Sequence, residues 1–169
     1  NMKKIIFSTL IIVLIFFTTI IKNSTKDIDV KIFNIKEDIR VLKEKYELEY
    51  LFKTSAKVLE NLIFMPSGLT EWFADDVKIR DDIYSFDWNG SIEQAKLLNK
   101  SKASSKIRWQ WVDDVEENPD AYFEISFIIA PMTNAVVLKI VDFAEEDDLE
   151  DSKLLWDQAV QDLKRVLGA

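Results

Sequence analysis

Two large aromatic side chains stand next to two adjacent carboxylates in the segment PSGLTEWFADDV, residues 66–77. The aromatic residues are Trp72 and Phe73, and the acids are Asp75 and Asp76. Such a segment can line the mouth of a ligand site, where the rings contact an apolar molecule. It can equally anchor a helix corner by packing, with both aspartates in solvent. The sequence leaves these two interpretations open.

The chain lacks the residue types on which most catalytic and metal sites depend. None of its 169 residues is histidine or cysteine. Imidazole bases, the usual zinc ligand sets, thiol nucleophiles and disulfides are therefore excluded. Catalysis would have to use carboxylates, lysine, tyrosine or hydroxyl groups. We expect a protein that is not an enzyme and that has no catalytic residue, no cofactor and no metal.

The acidic character of the chain argues against two further kinds of site. Residues 45–169 carry fourteen basic and twenty-five acidic side chains, a net charge of −11. Such a surface repels phosphate backbones, so nucleic acid is not an expected partner. The acidic stretches 113–117 and 145–148 lack the alternating oxygen ligands and the glycine turn of a calcium loop. We interpret both stretches as solvated charge.

The hydrophobic pattern predicts the strands that would position these residues. Apolar and polar residues alternate, or form an apolar run, in YELEYLF (46–52), DVKIR (76–80), DIYSFDW (82–88), KIRWQWV (106–112), YFEISFII (122–129) and NAVVLKIVDF (134–143). Asn89-Gly90 predicts a hairpin, after which SIEQAKLL (91–98) leads to the polar loop NKSKASS (99–105). The last strand is apolar on both faces, which predicts a central or covered position.

Helices are predicted on either side of these strands. Thr54-Ser55 forms an N-cap for AKVLENLIF, Pro66 ends that helix, and SGLTEWFA follows as a second short helix or turn. Near the C-terminus, the apolar stripe of a long helix consists of Trp156, Ala159, Val160, Leu163, Val166 and Leu167. A long helix must bury such a stripe, and a curved antiparallel sheet is the partner available. The fold class is therefore α+β, and we expect a cavity between the helix and the inward-facing aromatic residues.

This order of elements resembles the helix-grip fold of the START-like superfamily, which includes lipid carriers, polyketide cyclases and activators of the ninety-kilodalton heat-shock chaperone's ATPase. The segments that carry the resemblance are YELEY (46–50), PSGLTEWFADDV (66–77), YSFDWNG (84–90), IRWQW (107–111) and VDFAEEDDLEDSKLLWDQAVQDLKRVLG (141–168). It is similar to a compact bacterial START-like group and covers residues 45–169. The resemblance implies a curved antiparallel sheet of about six to seven strands around the C-terminal helix. It also implies two short helices after the first strand and an internal apolar pocket, but no catalytic residue.

We expect this pocket to bind or carry a small apolar or amphipathic molecule. The residues expected to contact the molecule are Trp72, Phe73, Tyr84, Phe86, Trp88, Trp109, Trp111 and Trp156. Plain core packing is the alternative role for these side chains. Arg108 alternates out of phase with the tryptophans of its strand, so we expect it on the outer face.

Two other functions stay open at this point. A protein-interaction module, similar to the chaperone activators, would show a pocket-free core and a contiguous exposed apolar patch. An enzyme of the cyclase or dehydratase type would need a buried carboxylate–tyrosine pair that opens into the pocket, for example around Tyr84 or Tyr122.

Residues 1–44 form a different kind of segment, with a net charge of +3. Its stretch from Ile5 to Ile21 is uncharged and mostly apolar, and it approaches the roughly 20 residues of a membrane helix. A genuine membrane anchor, a cleaved signal and a dispensable or misassigned extension are the three interpretations of this stretch. Residues 22–44 read as a charged connector whose second half is an amphipathic helix.

We therefore place the domain boundary near Lys45. The START-like domain is expected in the cytoplasm, unless residues 5–21 anchor it to a membrane. A protein partner is an alternative to the small molecule, and a homodimer could form through the N-terminal segment.

Overall fold

The computed structural model describes the backbone of residues 2–40, 42–133 and 135–168. Side chains are described for residues 14–35, 42–133 and 135–168. The chain divides into two compact units, Asn1–Val41 and Leu42–Ala169. The start of the START-like domain near Lys45 stays a prediction.

The first unit contains one long helix, α1 (Met2–Arg40). The predicted apolar stretch 5–21 and most of the predicted connector are therefore parts of one continuous helix. Among the described residues, no helix is both long enough and apolar enough to cross a bilayer. The side chains of residues 5–13, which belong to the predicted membrane stretch, lie outside the described residues.

The second unit is built on one antiparallel sheet of seven strands. The strands are β1 Glu44–Phe52, β2 Asp76–Arg80, β3 Ile83–Trp88, β4 Ser91–Ser101, β5 Lys106–Trp111, β6 Phe123–Ile129 and β7 Val136–Ala144. They lie in the order β1-β7-β6-β5-β4-β3-β2, so the first and last strands of the chain are neighbours. The predicted α+β fold with a curved antiparallel sheet is confirmed. The last strand, β7, lies inside the sheet, as its apolar faces predicted.

Strand β4 is longer than the sequence pattern predicts. Residues 99–101 belong to the strand, although they begin the segment predicted as a polar loop. Lys100 lies opposite Ile107 and Ser101 lies opposite Lys106 in the ladder with β5. The register shifts between Leu97 and Asn99, as at a β-bulge. Backbone pairing with β5 thus outweighs the polar composition, which local propensity alone does not anticipate.

The helices of the second unit are α2 Ala56–Phe64, α3 Pro66–Leu69, α4 Asp114–Glu117 and α5 Leu149–Leu167. The side chain of Ser55 accepts a hydrogen bond of 3.3 Å from the backbone N–H of Val58, so the predicted N-cap of α2 is confirmed. Two short helices follow the first strand, as predicted. Asn89 and Gly90 have φ angles of 55° and 90°, the left-handed conformation that a tight hairpin requires.

Glycine at position 68 permits the close contact between α2 and α3. A Cβ atom at Gly68 would lie 2.2 Å from the carbonyl oxygen of Asn61 and 2.6 Å from the Cα atom of Leu62. Both of these are backbone atoms, so a side chain could enter only if the two helices moved apart. This contact places the corner that follows α3, which contains Trp72 and Phe73, against the sheet.

Helix α5 packs on one face of the sheet. The hydroxyl of Tyr46 contacts Ser152, and the hydroxyl of Tyr50 donates to Asp157 at 2.6 Å, so α5 runs along β1 in the same direction. The residues of α5 that are buried against the sheet are Trp156, Val160 and Leu163. Gly168 ends the helix in the left-handed conformation, with a φ angle of 68°. Of the predicted apolar stripe, Trp156, Val160 and Leu163 lie in the core and Ala159 and Leu167 are partly buried against it, whereas Val166 is exposed.

Candidate functional site

A cavity of about 620 Å³ lies between α5, the start of β4, the ends of β3, β5 and β7, and the segment that follows α3 and contains Trp72 and Phe73. It is partly open to solvent. Five of the eight residues predicted to contact a ligand line it, namely Trp72, Phe73, Trp88, Trp111 and Trp156. Their rings form the apolar wall of the cavity.

The other three predicted residues, Tyr84, Phe86 and Trp109, lie in the closed core and do not line this cavity. Their exposed fractions are 2%, 0% and 0%. The ring of Phe86 meets that of Phe73 edge-on, with centroids 5.2 Å apart, so it supports the wall from behind. The alternation of each strand placed these side chains on the inner face correctly, but neighbouring rings cover them. Ligand contact by any of the eight residues stays a prediction.

Phe73 joins three elements around the cavity. Its ring stacks on the indole of Trp156 in α5, with centroids 5.4 Å apart and an interplanar angle of 20°. It also meets the ring of Trp88 in β3 nearly edge-on, again at 5.4 Å. The Nε1 of Trp88 donates a hydrogen bond of 2.6 Å to the carbonyl oxygen of Phe73. These contacts hold the aromatic wall of the cavity in a defined geometry.

The segment 66–77 contributes residues both to the cavity lining and to local packing. The Nε1 of Trp72 donates to the carbonyl oxygen of Leu62 at 3.0 Å, which anchors the corner to α2. Asp75 accepts the backbone N–H of Asn89 at 2.6 Å and so stabilises the hairpin. Neither Asp75 nor Asp76 lines the cavity. The aromatic rings thus belong to the cavity, while the two aspartates do not.

A polar cluster joins β1, β7 and α5 at one wall of the cavity. Asp142 lies opposite Tyr46 in the ladder, and its Oδ2 accepts hydrogen bonds from Trp156 Nε1 at 2.7 Å and from the Tyr46 hydroxyl at 3.4 Å. The same hydroxyl lies 2.6 Å from Oγ of Ser152. The other oxygen of Asp142 accepts the backbone N–H of Phe143 at 2.8 Å. The side chains of Asp142 and Ser152 both face the cavity lining.

The electrostatics of this cluster follow from its burial. Burial raises the pKa of Asp142 to about 6, because an ionised carboxylate is less well solvated there than in water. The hydrogen bonds from Trp156 and Phe143 and the charge of Lys43 act in the opposite direction. The pKa of Tyr46 is also raised, first by burial and then by the charge of Asp142. Near neutral pH, Tyr46 keeps its proton and Asp142 is mostly ionised.

Comparison with protein families identifies the superfamily of this chain. The family model of the START-like superfamily domain matches residues 40–169. The chain belongs to the START-like superfamily. Domains of this superfamily commonly bind small ligands or other proteins. Comparison with curated proteins returned no match.

Solved structures share the START-like fold. A protein from Bacteroides fragilis, determined in solution by NMR, is 42% identical, and the match covers 74% of this chain and 91% of that protein with a TM-score of 0.51. The Aha1 dimer from Colwellia psychrerythraea is 15% identical, with coverages of 72% and 93% and a TM-score of 0.60. An uncharacterised protein from Bacillus thuringiensis is 10% identical, with coverages of 75% and 100% and a TM-score of 0.63. The last two similarities concern the fold alone.

A carboxylate–tyrosine pair lies at the cavity of this START-like domain, with Tyr46 beside Asp142. An enzyme was expected to need such a pair, for example around Tyr84 or Tyr122, and neither of these two residues supplies it. Tyr84 is in the closed core, and Tyr122 lies outside the cavity, where the guanidinium of Arg108 is 3.8 Å from the centre of its ring. Asp142 is the only acidic residue of β7, whose one other charged residue is Lys139, and an acid in such a strand is the signal that the sequence contains.

Arg108 lies away from the cavity of the START-like domain, as expected. It is opposite Glu124 in the β5–β6 ladder, and its guanidinium pairs with that carboxylate at 2.7 Å. Lys106 pairs with the other oxygen of Glu124 at 3.3 Å. This ion cluster therefore belongs to the outer face of the sheet.

Proposed function

We propose that the START-like domain binds a small amphipathic molecule in the cavity under α5 and does not transform it. The observation that supports the proposal is the cavity itself, which is about 620 Å³ in volume and is lined by aromatic rings. Small-molecule sites typically occupy about 300–1,000 Å³ and combine apolar walls with a few polar groups. The aromatic wall and the Asp142 cluster supply these two features.

The apolar part of the ligand would pack against the rings of Phe73, Trp88, Trp111 and Trp156. Each 100 Å² of apolar surface removed from water contributes about 2.5 kcal/mol before the entropic cost of binding. The polar part would point to the wall that contains Asp142. The hydrogen bond from Trp88 to the backbone of Phe73 keeps the wall in place, so little ordering of the protein is needed on binding.

Binding without chemistry is favoured over catalysis by the state of the polar cluster. Both oxygens of Asp142 already accept N–H donors, and the hydroxyl of Tyr46 is shared with Ser152. These groups hold one another in place, as in a structural cluster. Tyr46 and Asp142 nevertheless lie close enough to act as an acid–base pair. An experiment on the proposed function must therefore distinguish ligand binding from chemical conversion of the ligand.

The test uses the full chain and the neutral, apolar fluorophore 1-aminoanthracene. Wild-type protein is expected to bind the fluorophore, and Ala159→Phe, which places a ring in the cavity lining, is expected to weaken binding at least about tenfold. Ala103→Phe introduces the same ring at an exposed turn and is expected to bind as the wild type does. Equal binding by all three proteins, or no binding by the wild type, would overturn the proposal.

Native mass spectrometry of the full chain purified from cells complements this titration. A co-purifying molecule that is recovered with its mass unchanged after prolonged incubation supports a carrier. A bound molecule whose mass changes, together with loss of that change in Asp142→Asn, would favour an enzyme instead.

A second candidate function, protein interaction, is favoured by a row of apolar side chains on the outer face. Leu51 lies opposite Val137, which in turn lies opposite Ile128, so the three form one row across β1, β7 and β6. Leu51 and Ile128 are 63% and 65% exposed. A second copy of this chain would suit such a row. The Aha1 protein with the same fold is described as a dimer.

Sedimentation velocity tests this candidate. Loss of a dimer in Ile128→Ser, but not in Ile92→Ser, would support it, because Ile92 is 64% exposed and lies outside the row. A wild type that stays monomeric at high concentration would exclude it. Cytoplasmic location and dimerisation through the N-terminal segment stay predictions.

A further inference from the structure

The charged side chains that line the cavity are mostly acidic. Within the described residues, the lining contains one basic residue, Lys43. The acids of the lining are Glu93, Asp142, Glu145, Asp148 and Asp162. The charge of the lining is therefore negative, whereas a cavity that binds an anionic headgroup would need a positive lining.

The one basic residue of the described lining is paired with an acid that lies outside the lining. The Nζ of Lys43 lies 2.6 Å from Oδ1 of Asp114, which is buried outside the lining. Asp162 is balanced in the same way by Arg165, at 2.6 Å. Among the described residues, the other four acids of the lining have no basic partner within 4.0 Å. A net negative charge thus remains at the cavity.

The aromatic wall also favours a positive ligand. Aromatic faces carry negative partial charge, and a cation within about 6 Å of a ring centre is attracted to it. Trp88 and Trp111 are partly exposed at the cavity, with ring centroids 6.2 Å apart. Phe73 and Trp156 form a stacked pair in the same wall. These rings can pack against an apolar body and attract a cationic end at once.

Asp142 supplies a carboxylate inside this wall. A carboxylate can accept about four hydrogen bonds, and the described residues give Asp142 three, one of them long at 3.4 Å. Acceptor capacity therefore remains for a donor on a ligand. In the part of the chain that the structure describes, no three acidic side chains are grouped as for a metal ion, so the charge is spread along the cavity.

From these observations we propose that the cavity selects amphipathic organic cations, molecules with an ammonium group on an apolar body. The inference rests on the proposed function, since it assumes that the cavity binds a ligand. The apolar body lies against the tryptophan and phenylalanine rings, and the cationic end lies towards the acids. A neutral analogue keeps the apolar contacts but loses the attraction to the acidic side chains, while an anionic analogue is repelled by them.

Three probes with the same tail test this selectivity in the full chain: decyltrimethylammonium, decanol and decyl sulfate, each below its micellar concentration or solubility limit. We expect the cation to bind at least about tenfold more tightly than decanol, decyl sulfate to bind most weakly, and the preference to shrink as salt is added. Equal binding of the three probes would overturn the inference and leave the proposed function intact. Failure of all three, together with failure of 1-aminoanthracene, would overturn both.

Two matched triple variants separate the cavity from the overall charge. One set, Glu93→Gln, Glu145→Gln and Asp148→Asn, removes three acids of the lining. The other set, Glu146→Gln, Asp147→Asn and Asp151→Asn, removes three exposed acids near the start of α5 that lie outside the lining. The side chain of Asp148 makes no capping hydrogen bond to α5, so its substitution does not remove a helix cap.

Both triple variants change the net charge equally. We expect the first set to lose the preference for decyltrimethylammonium over decanol and the second set to keep it. An equal loss in both sets would assign the preference to the acidic surface as a whole and overturn the inference. Circular dichroism of each variant verifies that the fold is intact.

Discussion

The indole Nε1 of Trp156 donates a 2.7 Å hydrogen bond to Oδ2 of Asp142 and so ties α5 to β7 at the wall of the cavity. The bond joins the longest helix of the second unit to an inner strand of its sheet. It also connects the aromatic wall with the buried carboxylate, because the same indole stacks on Phe73.

Trp156→Phe should therefore reduce stability through the loss of this bond as well as through lost packing. Hydrogen bonds to charged groups contribute about 1.5–3 kcal/mol, and we expect a loss of that size or larger in the free energy of unfolding at neutral pH. The pKa of Asp142 should rise further, because the bond from Trp156 lowers it. Urea denaturation measures the first effect.

A double-mutant cycle with Asp142→Asn isolates the bond from the packing. Trp156→Phe should cost less in the Asp142→Asn background, since the charge-assisted bond is already absent there. Strictly additive effects would mean that the bond contributes no net stability.

Asp142 should also make the stability depend on pH. The folded protein raises the pKa of this carboxyl from 3.8 to about 6, so the folded state binds the proton more tightly than the unfolded chain. Its contribution to stability is present at low pH and is lost as the pH rises through about 6. Relative to Asp142→Asn, the wild type should lose up to about 3 kcal/mol between pH 4 and pH 7.

Denaturation curves of both proteins at a series of pH values measure this difference. The groups that face Asp142 are Tyr46, Trp156 and Lys43, and none of them changes between the two proteins. Asp151→Asn, in an exposed part of α5, controls for the removal of a carboxylate. A constant difference between the wild type and Asp142→Asn across this range would contradict the assignment.

Gly68→Ala should destabilise the second unit strongly. The new methyl group would lie 2.2 Å from a backbone oxygen of Asn61, so α2 and α3 would have to separate. Overpacking of this kind costs about 1–3 kcal/mol, and here the opposing atoms are backbone and cannot rotate away. Thermal unfolding measures the change, and Ser67→Ala, one residue earlier in the same helix, is the matched control. Equal melting temperatures for the two variants would be inconsistent with the contact.

Glu124→Gln should cost more than Glu47→Gln, although both acids pair with cations on the sheet. Glu124 is 4% exposed and bonds to both Arg108 and Lys106, so its loss leaves two cations without their partner. A loss of about 1–3 kcal/mol is expected for a charge-assisted pair of this kind. Glu47 also pairs with two cations, Lys139 and Lys45, but it is at the surface, where solvent screens both pairs. Equal losses would show that burial has no part in the effect.

Most of the fold was predictable from local patterns. The apolar stripe that contains Trp156, Val160 and Leu163 predicted the long helix and its buried face, and Asn89-Gly90 predicted the hairpin. Such features depend on residues near one another in the chain, whose periodicity and φ preferences act locally. The extension of β4 through Ser101 was missed, because its cause is pairing with β5 rather than its own composition.

The candidate site was predictable only in part. Alternation correctly placed Phe86, Trp88, Trp109 and Trp111 on the inner face, but it could not tell which of these rings would be covered. Trp88 and Trp111 reach the cavity, whereas Phe86 and Trp109 are closed off by other rings. The covering rings come from distant strands, so the distinction depends on packing in three dimensions.

The pattern of apolar, polar and turn residues was thus sufficient for the elements, their buried faces and the α+β class. The partnership of Tyr46 with Asp142 required the folded chain, since β1 and β7 lie at opposite ends of the strand sequence and become neighbours only by pairing in the sheet. The same holds for the acidic lining of the cavity, which collects side chains from β4, β7, the segment between β7 and α5, and α5 itself. Periodicity specifies the face on which a side chain lies, and long-range pairing specifies which side chains it meets.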